Sequence, residues 1–336
     1  MKFTIKDVAK IAGVSKATVS RALGEYGYVK KETKRKVLNA AREIGYKPDV
    51  IARSMVTGHT RTIGLVVADI ENPFFARLAH GINDTLTSED YNLIVCGTNE
   101  SIDEERKVIE GLTQKRIDGL IIAPTSSREG THISEFFQNK LPVVLVDRVI
   151  EDVKFDAVCV KNTEGSYKAV WHLIQNGYKK IGFLSDSFAI SSNAERLEGY
   201  KRALNDAGIE LDMSLIREGI YTIESGYRES VSLLFNSNKP TAVFTANNFM
   251  TIGLLKAVKD MELIIPNDLA IISFDDMVWF DLISPTITAV AQPIYEIGQV
   301  AAQRLLIRIG GDKQSPQVIR LSTKLIIRES SCPPIV

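Results

Sequence analysis

The sequence predicts an α/β fold made of two dissimilar parts, an all-α helix-turn-helix domain followed by a larger, two-lobed Rossmann-like core. Up to residue 48, apolar side chains recur at helical spacing, whereas from Thr62 onward uniformly apolar runs alternate with amphipathic segments. Charge divides at the same place: residues 1–61 hold 14 basic and 5 acidic side chains, a net +9, and the remainder carries −9. The first part therefore suits a polyanionic partner and the second does not.

Three short helices are expected in residues 1–48. Thr4 can cap the first helix, and Asp7, three residues later, completes a box-like start. Gly13 interrupts the apolar stripe, Ser15 can cap a second helix, and the segment 33–44 carries a third stripe. Helix, glycine-containing turn, short helix and third helix together form the helix-turn-helix pattern.

A basic connector follows at residues 49–61, with a short helical stretch of its own at 50–55. The core is expected at residues 62–330. Runs that are apolar throughout, separated by helices, indicate a parallel sheet covered on both faces. Nine or more such strands in about 270 residues are too many for one compact unit, so two lobes are expected. The expected strands are Ile63–Ala68, Leu93–Cys96, Gly119–Ala123, Val143–Val146, Ala157–Val160, Ile181–Leu184, Ala242–Thr245, Leu269–Phe274, Ile287–Ala291 and Lys324–Arg328.

Composition argues against several protein classes. Three widely spaced cysteines indicate buried free thiols rather than disulfides or a metal site, and none of the four histidines has metal-ligand spacing. The N-terminus lacks a secretory signal and no run is long enough to span a membrane, so a cytoplasmic protein is expected. No P-loop, nucleophile elbow or dinucleotide fingerprint occurs, which disfavours an enzyme, and we expect neither cofactor nor metal. A transport-type binding protein is disfavoured by the missing signal and the basic N-terminal part.

The ordered stretch from Thr4 to Leu23, TIKDVAKIAGVSKATVSRAL, resembles the start of the LacI family of bacterial repressors. The match continues through Val29, Thr33 and Val37, the segment 45–48 and the segment 52–54. This resemblance implies a sequence-specific, DNA-binding transcriptional regulator, expected to be a repressor of carbohydrate-metabolism genes. It also implies a homodimer on double-stranded operator DNA, with no membrane partner.

A recognition helix that begins at Ser15 would place its first turn in the major groove. Lys16, Ala17 and Arg21 would then face base edges, where Arg21 can bond guanine and Ala17 can touch a thymine methyl. The alternative is a solvated helix face, which this ordered pattern disfavours. Short hydroxyl side chains suit phosphate contacts, and Tyr28 completes the expected DNA-contacting set in this domain; the hydroxyl residues are Thr4, Ser15, Thr18 and Ser20.

The connector resembles the family's hinge helix, two copies of which pair in the minor groove of the operator. An apolar side chain of that helix, usually leucine, opens the central base step in the family. Met55 holds the matching place here, and methionine is an accepted wedge. The alternative is that Met55 is an ordinary buried helix residue.

From Thr62 onward the chain resembles the family's core, which is shared with periplasmic sugar-binding proteins. The resemblance implies lobes at about 62–161 with 293–322, and 162–292 with 323–330, joined by three crossovers. It also implies an effector in the cleft between them, at the carboxyl ends of the strands. The matching residues resemble a ribose-type site; they are Asn72, Phe74, Phe75, Asp147, Arg148, Arg196, Tyr221, Asn247, Asp275 and Gln292.

These residue types suit a carbohydrate, since aromatic faces cover the apolar faces of a ring and charged or amide groups bond its hydroxyls. Taken singly, the asparagines and aspartates could only cap helices, and the phenylalanines could belong to the core. Two positions depart from the family: Asn248 stands where an acid is usual, and so does Lys161, before Asn162. Both changes add positive charge, so the expected effector is a monosaccharide, a sugar acid or a sugar phosphate.

Overall fold

The computed structural model describes residues 3–24, 28–46, 59–138, 141–151 and 154–332. The chain divides into two compact units, Met1–Thr62 with Leu112–Asp118, and Ile63–Gly111 with Gly119–Val336. The three helices of the first unit are α1 (Ile5–Ala12), α2 (Lys16–Gly24) and α3 (Lys31–Glu43). One fully buried valine from each helix, Val8, Val19 and Val37, forms the centre of their shared core. The expected helix-turn-helix arrangement is thus confirmed, with α3 starting two residues earlier than expected.

The expected helix caps are also present. The Thr4 backbone N–H donates to Asp7 Oδ2 at 2.8 Å, which completes a capping box at the start of α1. Gly13 ends that helix with a left-handed φ of 64°, a conformation that glycine adopts without strain. Ser15 Oγ then accepts the Thr18 N–H at 3.1 Å, so its hydroxyl caps α2. These local bonds fix the turn between the first two helices.

The end of the connector is bound by one buried aspartate. Asp118 accepts the backbone N–H of Thr60 through Oδ1 and that of Arg61 through Oδ2, each at 2.9 Å. The Thr60 hydroxyl donates to the Arg116 carbonyl at 2.7 Å. The hinge segment expected at 50–55, including Met55, lies outside the described residues.

The second unit contains eight described helices and two six-stranded sheets. The helices are α4 (Pro73–Ser88), α5 (Ile102–Gln114), α6 (Thr131–Gln138), α7 (Asn162–Gln175), α8 (Ser191–Asp206), α9 (Ile223–Leu234), α10 (Asn248–Asp260) and α11 (Ile294–Ile309). The strands are β1 (Thr62–Val67), β2 (Asn92–Gly97), β3 (Gly119–Ile122), β4 (Val143–Val146), β5 (Asp156–Val160), β6 (Ile181–Ser185), β7 (Ile216–Glu218), β8 (Ala242–Thr245), β9 (Ala270–Phe274), β10 (Thr288–Ala291), β11 (Val318–Leu321) and β12 (Lys324–Ile326).

The first sheet has the order β11-β5-β4-β3-β1-β2 and the second the order β12-β10-β9-β8-β6-β7. The chain passes between the sheets three times, after β5, after β10 and after β11. Central strands such as β3, β4 and β9 are buried along their whole length, because helices cover both faces. The expected two-lobed α/β core is confirmed.

Two features of the sheets differ from expectation. Strand β11 was not expected, and its residues alternate between exposed and half-buried, so it leaves no continuous apolar run to detect. Strand β12 pairs antiparallel with β10, whereas a parallel sheet was expected. The two residues between β11 and β12 lead from the first sheet directly into the second, so no helix precedes β12.

Close approach of α4 and α11 requires glycine on both helices. A Cβ on Gly81 would overlap the Tyr295 carbonyl oxygen, and one on Gly298 would overlap the Leu78 carbonyl. Both helices begin at the edge of the cleft, so this packing fixes the positions of their first residues.

Of the three free cysteines, only Cys159 is buried, whereas Cys96 and Cys332 are half-buried, so the expectation of uniformly buried thiols was wrong. None of the described helices combines the length and the apolar character needed to cross a bilayer.

Candidate functional site

All ten residues expected to contact an effector line one cavity in the second unit. They reach it because the strands of both sheets end there: Asp147 follows β4, Asp275 follows β9 and Gln292 follows β10. Asp147 and Asp275 have left-handed φ values of 65° and 79°, so the chain turns sharply where each strand ends. Four further residues line the same cavity: Asp186, Ser192, Asn193 and Asn248.

Two asparagines both cap a helix and line the cavity. Asn72 accepts the Phe74 N–H at 2.9 Å through Oδ1, while its amide nitrogen donates to the Tyr221 hydroxyl. Asn247 accepts the Met250 N–H at 3.0 Å, and its amide donates to Asp186 Oδ1 at 2.9 Å. The helix-cap and site interpretations are therefore compatible. A primary amide can cap a helix with its oxygen while its nitrogen donates to a group in the cavity.

Three aromatic rings line the cavity. Phe74 and Phe75 are both buried and meet edge to face, with 5.1 Å between ring centroids. Tyr221 packs against Phe249 with centroids 4.8 Å apart. Burial raises the pKa of Tyr221, so its phenol stays neutral and can both donate and accept a hydrogen bond.

Arg196 is the sixth residue of α8 and is only 4% exposed. Its Nε donates to Asn162 Oδ1 at 2.9 Å, and its Nη1 donates to the Ala246 carbonyl at 2.7 Å. The guanidinium carbon lies 3.8 Å from the centroid of the Phe274 ring. Among the described residues, its Nε and Nη1 bond the protein, so its Nη2 can donate to a ligand.

Arg148, also 4% exposed, is held by Glu100 in a two-pronged ion pair. Its Nη2 lies 2.5 Å from Glu100 Oε1, and its Nη1 lies 2.8 Å from Oε2. Burial would lower the pKa of Arg148, but the Glu100 charge outweighs it and the net shift is upward. Arg148 thus stays charged with a carboxylate already bound to it.

Gln292 offers the cavity an acceptor. Its amide nitrogen donates to Asp275 Oδ1 at 2.6 Å. Its Oε1 is buried without a hydrogen-bond partner among the described residues. An unpaired buried acceptor is costly, so a ligand hydroxyl or N–H that donates to it would bind favourably.

The two lobes touch directly beside the cavity. Asn248, which follows the second sheet's β8, donates to Asn72 Oδ1 of the first lobe at 2.8 Å. The Val149 N–H donates to Ser191 Oγ at 2.9 Å, and the Ser191 N–H donates to Ser127 Oγ at 2.8 Å. These bonds exist only while the lobes lie close together, so they belong to a closed cleft.

Asp186 was not predicted, although it comes directly after β6 and is 3% exposed. Its position after a strand, which it shares with Asp147 and Asp275, is the signal that could have found it. Burial raises its pKa to about 6. Lys161 does not line this cavity: it lies in a separate groove, with Nζ 3.8 Å from Glu164. Its positive charge therefore bears less on the cavity than the sequence suggested.

In the N-terminal unit, the residues expected to face base edges are exposed. Lys16, Ala17 and Arg21 of α2 are exposed, whereas Val19 of the same helix is fully buried. Tyr28 is 86% exposed. Of the expected phosphate contacts, Thr4 and Ser15 are exposed, whereas Thr18 and Ser20 are half-buried. Exposed cationic side chains can meet a nucleic acid without rearrangement of the fold.

Sequence models of known families match both parts of the chain. Residues 4–49 match the family described as bacterial regulatory proteins, lacI family, and residues 170–331 match the periplasmic binding protein-like domain. Catabolite control protein A of Priestia megaterium is 35% identical over 98% of this chain and 100% of its own length.

Solved structures agree on the fold. A LacI family transcriptional regulator from Enterococcus faecium with bound ribose superposes with a TM-score of 0.73 at 30% identity, over 81% of this chain and 99% of that one. The lac repressor dimer bound to operator superposes with a TM-score of 0.87 over 99% of this chain and 100% of that one. At 23% identity, this second likeness concerns the fold alone.

Proposed function

This chain belongs to the LacI family of bacterial regulatory proteins, and from that premise we propose that it is a sequence-specific transcriptional repressor controlled by a small carbohydrate. The proposed effector binds in the cavity between the two lobes, and the proposed targets are genes of carbohydrate metabolism. Such a protein works on chromosomal DNA, and hence in the cytoplasm. The cavity is assigned to binding rather than catalysis, in keeping with relatives that are named as regulators.

The exposed face of α2 supports the proposed reading of DNA. Arg21 and Lys16 are exposed on a helix that Val19 anchors in a small core. A helix of this kind reads only one half-site, so two copies are needed for specificity. We therefore propose a homodimer, paired through the core, on a pseudo-palindromic operator. Met55 would enter a flexible central base step from the minor groove.

One observation carries the effector proposal: ten residues dispersed over 220 positions of the sequence line a single cavity. Its aromatic rings, amides and charged groups match the faces and hydroxyls of a sugar ring. The proposed classes are a monosaccharide, a sugar acid or a sugar phosphate. The relative with bound ribose supports the first class. The Glu100 carboxylate already paired with Arg148 weakens the case for an anionic ligand.

Control of DNA binding would follow from closure of the cleft. Asn72 and Arg148 belong to one lobe, whereas Arg196 and Tyr221 belong to the other, so a ligand contacts both sets only in the closed form. A ligand shifts the balance between open and closed forms by its difference in affinity for them. A shift in lobe orientation would then alter the geometry of the hinge segments in the dimer.

A thermal-shift screen of sugars, sugar acids and sugar phosphates, followed by operator titration with each stabilising compound, tests the proposal. We expect at least one compound to raise the melting temperature and to change operator affinity. Stabilising compounds that leave operator affinity unchanged would indicate a binding protein without regulatory output. Turnover of a stabilising compound would indicate an enzyme.

A further inference from the structure

The cavity is lined by more carboxylates than guanidinium groups. Three carboxylates, of Asp147, Asp186 and Asp275, face two guanidinium groups, of Arg148 and Arg196. Four of these five residues are 6% exposed or less, and the fifth, Asp147, has a side chain that is 12% exposed. Charges in such a place are poorly screened by solvent, so the balance among them decides which ligand charge fits.

Arg148 contributes little positive charge to a ligand, because Glu100 already binds it through two nitrogens at 2.5 and 2.8 Å. The Nη1 atom also donates to the Pro124 carbonyl at 3.1 Å. With Glu100 included, four carboxylates surround two guanidinium groups, and one guanidinium is committed to a carboxylate outside the cavity lining.

Arg196 is the second guanidinium of the cavity, and its described hydrogen bonds go to neutral acceptors, the Asn162 amide and the Ala246 carbonyl. Burial raises the pKa of all three aspartates, and the positive charges only partly oppose it. Arg148 opposes it most for Asp147 and Asp186, and Arg196 does so for Asp275. Two guanidinium groups, one of them already paired with Glu100, do not offset the cost of burying three carboxylates.

Asp147 lies 3.4 Å from Arg148 Nε, whereas the described side-chain donors to the other two aspartates are neutral amides. Asp275 accepts from Gln292 at 2.6 Å, and Asp186 accepts through Oδ1 from Asn193 at 2.6 Å and Asn247 at 2.9 Å. The guanidinium that acts most strongly on Asp275 is Arg196, but the one that acts most strongly on Asp186 is Arg148, which Glu100 already binds. Asp186 is therefore the aspartate whose counter-charge is already shared with another carboxylate, and its Oδ2 accepts from none of the described amides. A neutral amide stabilises a carboxylate less than a cation does.

We propose that the effector is an amino sugar, a polyhydroxylated ring that bears a protonated amine, and that the Asp186 carboxylate receives this amine. The inference rests on the proposed function and narrows its effector class. A cationic ligand relieves the acidic excess, a neutral sugar leaves it unchanged, and a carboxylate or phosphate increases it. The hydroxyls of such a ligand use the remaining amides and Arg196 as an ordinary sugar would.

Calorimetric titration of the full-length protein at pH 7 with matched probes tests the proposal. The pairs are D-glucosamine with D-glucose, D-galactosamine with D-galactose and D-mannosamine with D-mannose, together with D-gluconate and glucose 6-phosphate. We expect one amine to bind at least tenfold more tightly than its hydroxyl partner, and the two anions to bind more weakly than either.

Asp186→Asn should remove that preference, because asparagine keeps the oxygen that accepts from Asn193 and Asn247 but loses the charge. The affinity for the amine should fall to about that of its hydroxyl partner, and the affinity for the neutral sugar should stay within twofold. Glu129→Gln is the matched control, since Glu129 is half-exposed on the surface and pairs with Arg106 at 2.8 Å. It should leave both affinities unchanged.

Glu100→Gln provides an independent test of the amino-sugar proposal, and it is the deciding test if Asp186→Asn does not fold. It releases Arg148 from its carboxylate, so amine affinity should fall about tenfold and gluconate affinity should rise. Equal or tighter binding of neutral sugars, or tightest binding of an anion, would overturn the amino-sugar assignment while leaving carbohydrate control of the repressor intact. Binding of none of the probes would overturn both.

Discussion

Arginine has opposite surroundings in the two units of this molecule. Arg21 is exposed on α2, whereas Arg148 and Arg196 are each 4% exposed and are hydrogen-bonded to the protein around them. The exposed side chain keeps its hydration until a partner replaces it, so its contribution depends on ionic strength. The buried ones have lost their hydration on folding, and their contribution depends on the neighbours already present. The same residue type thus occurs on a surface whose binding should depend on salt and in a cavity whose ligand preference should depend on the neighbouring charges.

The largest effect is expected for Arg196→Ala, which should abolish the effector response of operator binding at ordinary ligand concentrations. The substitution removes a donor that the cavity needs and leaves the Asn162 and Ala246 oxygens without it. Operator binding without effector should survive, and titration of operator with and without ligand measures both. The matched control is Arg202→Ala on the same helix, whose side chain is 65% exposed. Loss of operator binding without ligand would instead make Arg196 a residue that holds the fold.

The second largest expected effect is a difference in salt dependence between operator binding and effector binding. Raising the monovalent salt from 50 to 200 mM should weaken operator binding by on the order of a hundredfold or more, because cations on α2 displace counterions from phosphates. Effector affinity should change by less than about twofold over the same range, since the cavity charges are shielded from solvent ions. Fluorescence anisotropy with labelled operator and calorimetry with effector give the two slopes. If operator affinity and effector affinity depended equally on salt, the expected difference between exposed and buried arginines would be contradicted.

Asp186→Asn should stabilise the core at neutral pH. The pKa of Asp186 is about 6 in the fold against an ordinary 3.8, so wild-type stability falls as pH rises through this interval. Asparagine avoids that loss, and the variant should be more stable by up to about 3 kcal/mol at pH 7.5, with the difference vanishing near pH 4. The charged groups that act on Asp186 are Arg148, Glu100 and Arg196. Denaturant melts at the two pH values test this, and equal stability at pH 7.5 would contradict the acidic excess.

Arg21→Ala should cost operator binding roughly 1–3 kcal/mol and relax specificity at a single base pair. Substituting an exposed side chain should leave the melting temperature of the helical unit unchanged. Binding to a panel of single-base operator variants locates the affected position. A uniform loss across the panel would show that Arg21 contacts phosphate rather than a base.

Much of the cavity could be predicted from the sequence because one rule applies to several strands: parallel strands end at the same edge of a sheet. The family resemblance indicated Asp147, Asn247, Asp275 and Gln292, and each of them follows a strand as this rule requires. Asp186 satisfies the same rule and was overlooked. Glu100 could not be found by the rule, because its role depends on pairing with Arg148, 48 positions away.

The sequence by itself determined the helical unit and the apolar strands, since these depend on local periodicity and on capping, and its family resemblance indicated the residues that line the cavity. Tertiary structure alone decided the charge of the site. In the folded protein Lys161 lies in another groove, Arg148 pairs with Glu100, and Asp186 accepts hydrogen bonds from neutral amides. The physical reason is that a charge acts through distance and desolvation, and neither is fixed until remote segments have packed together.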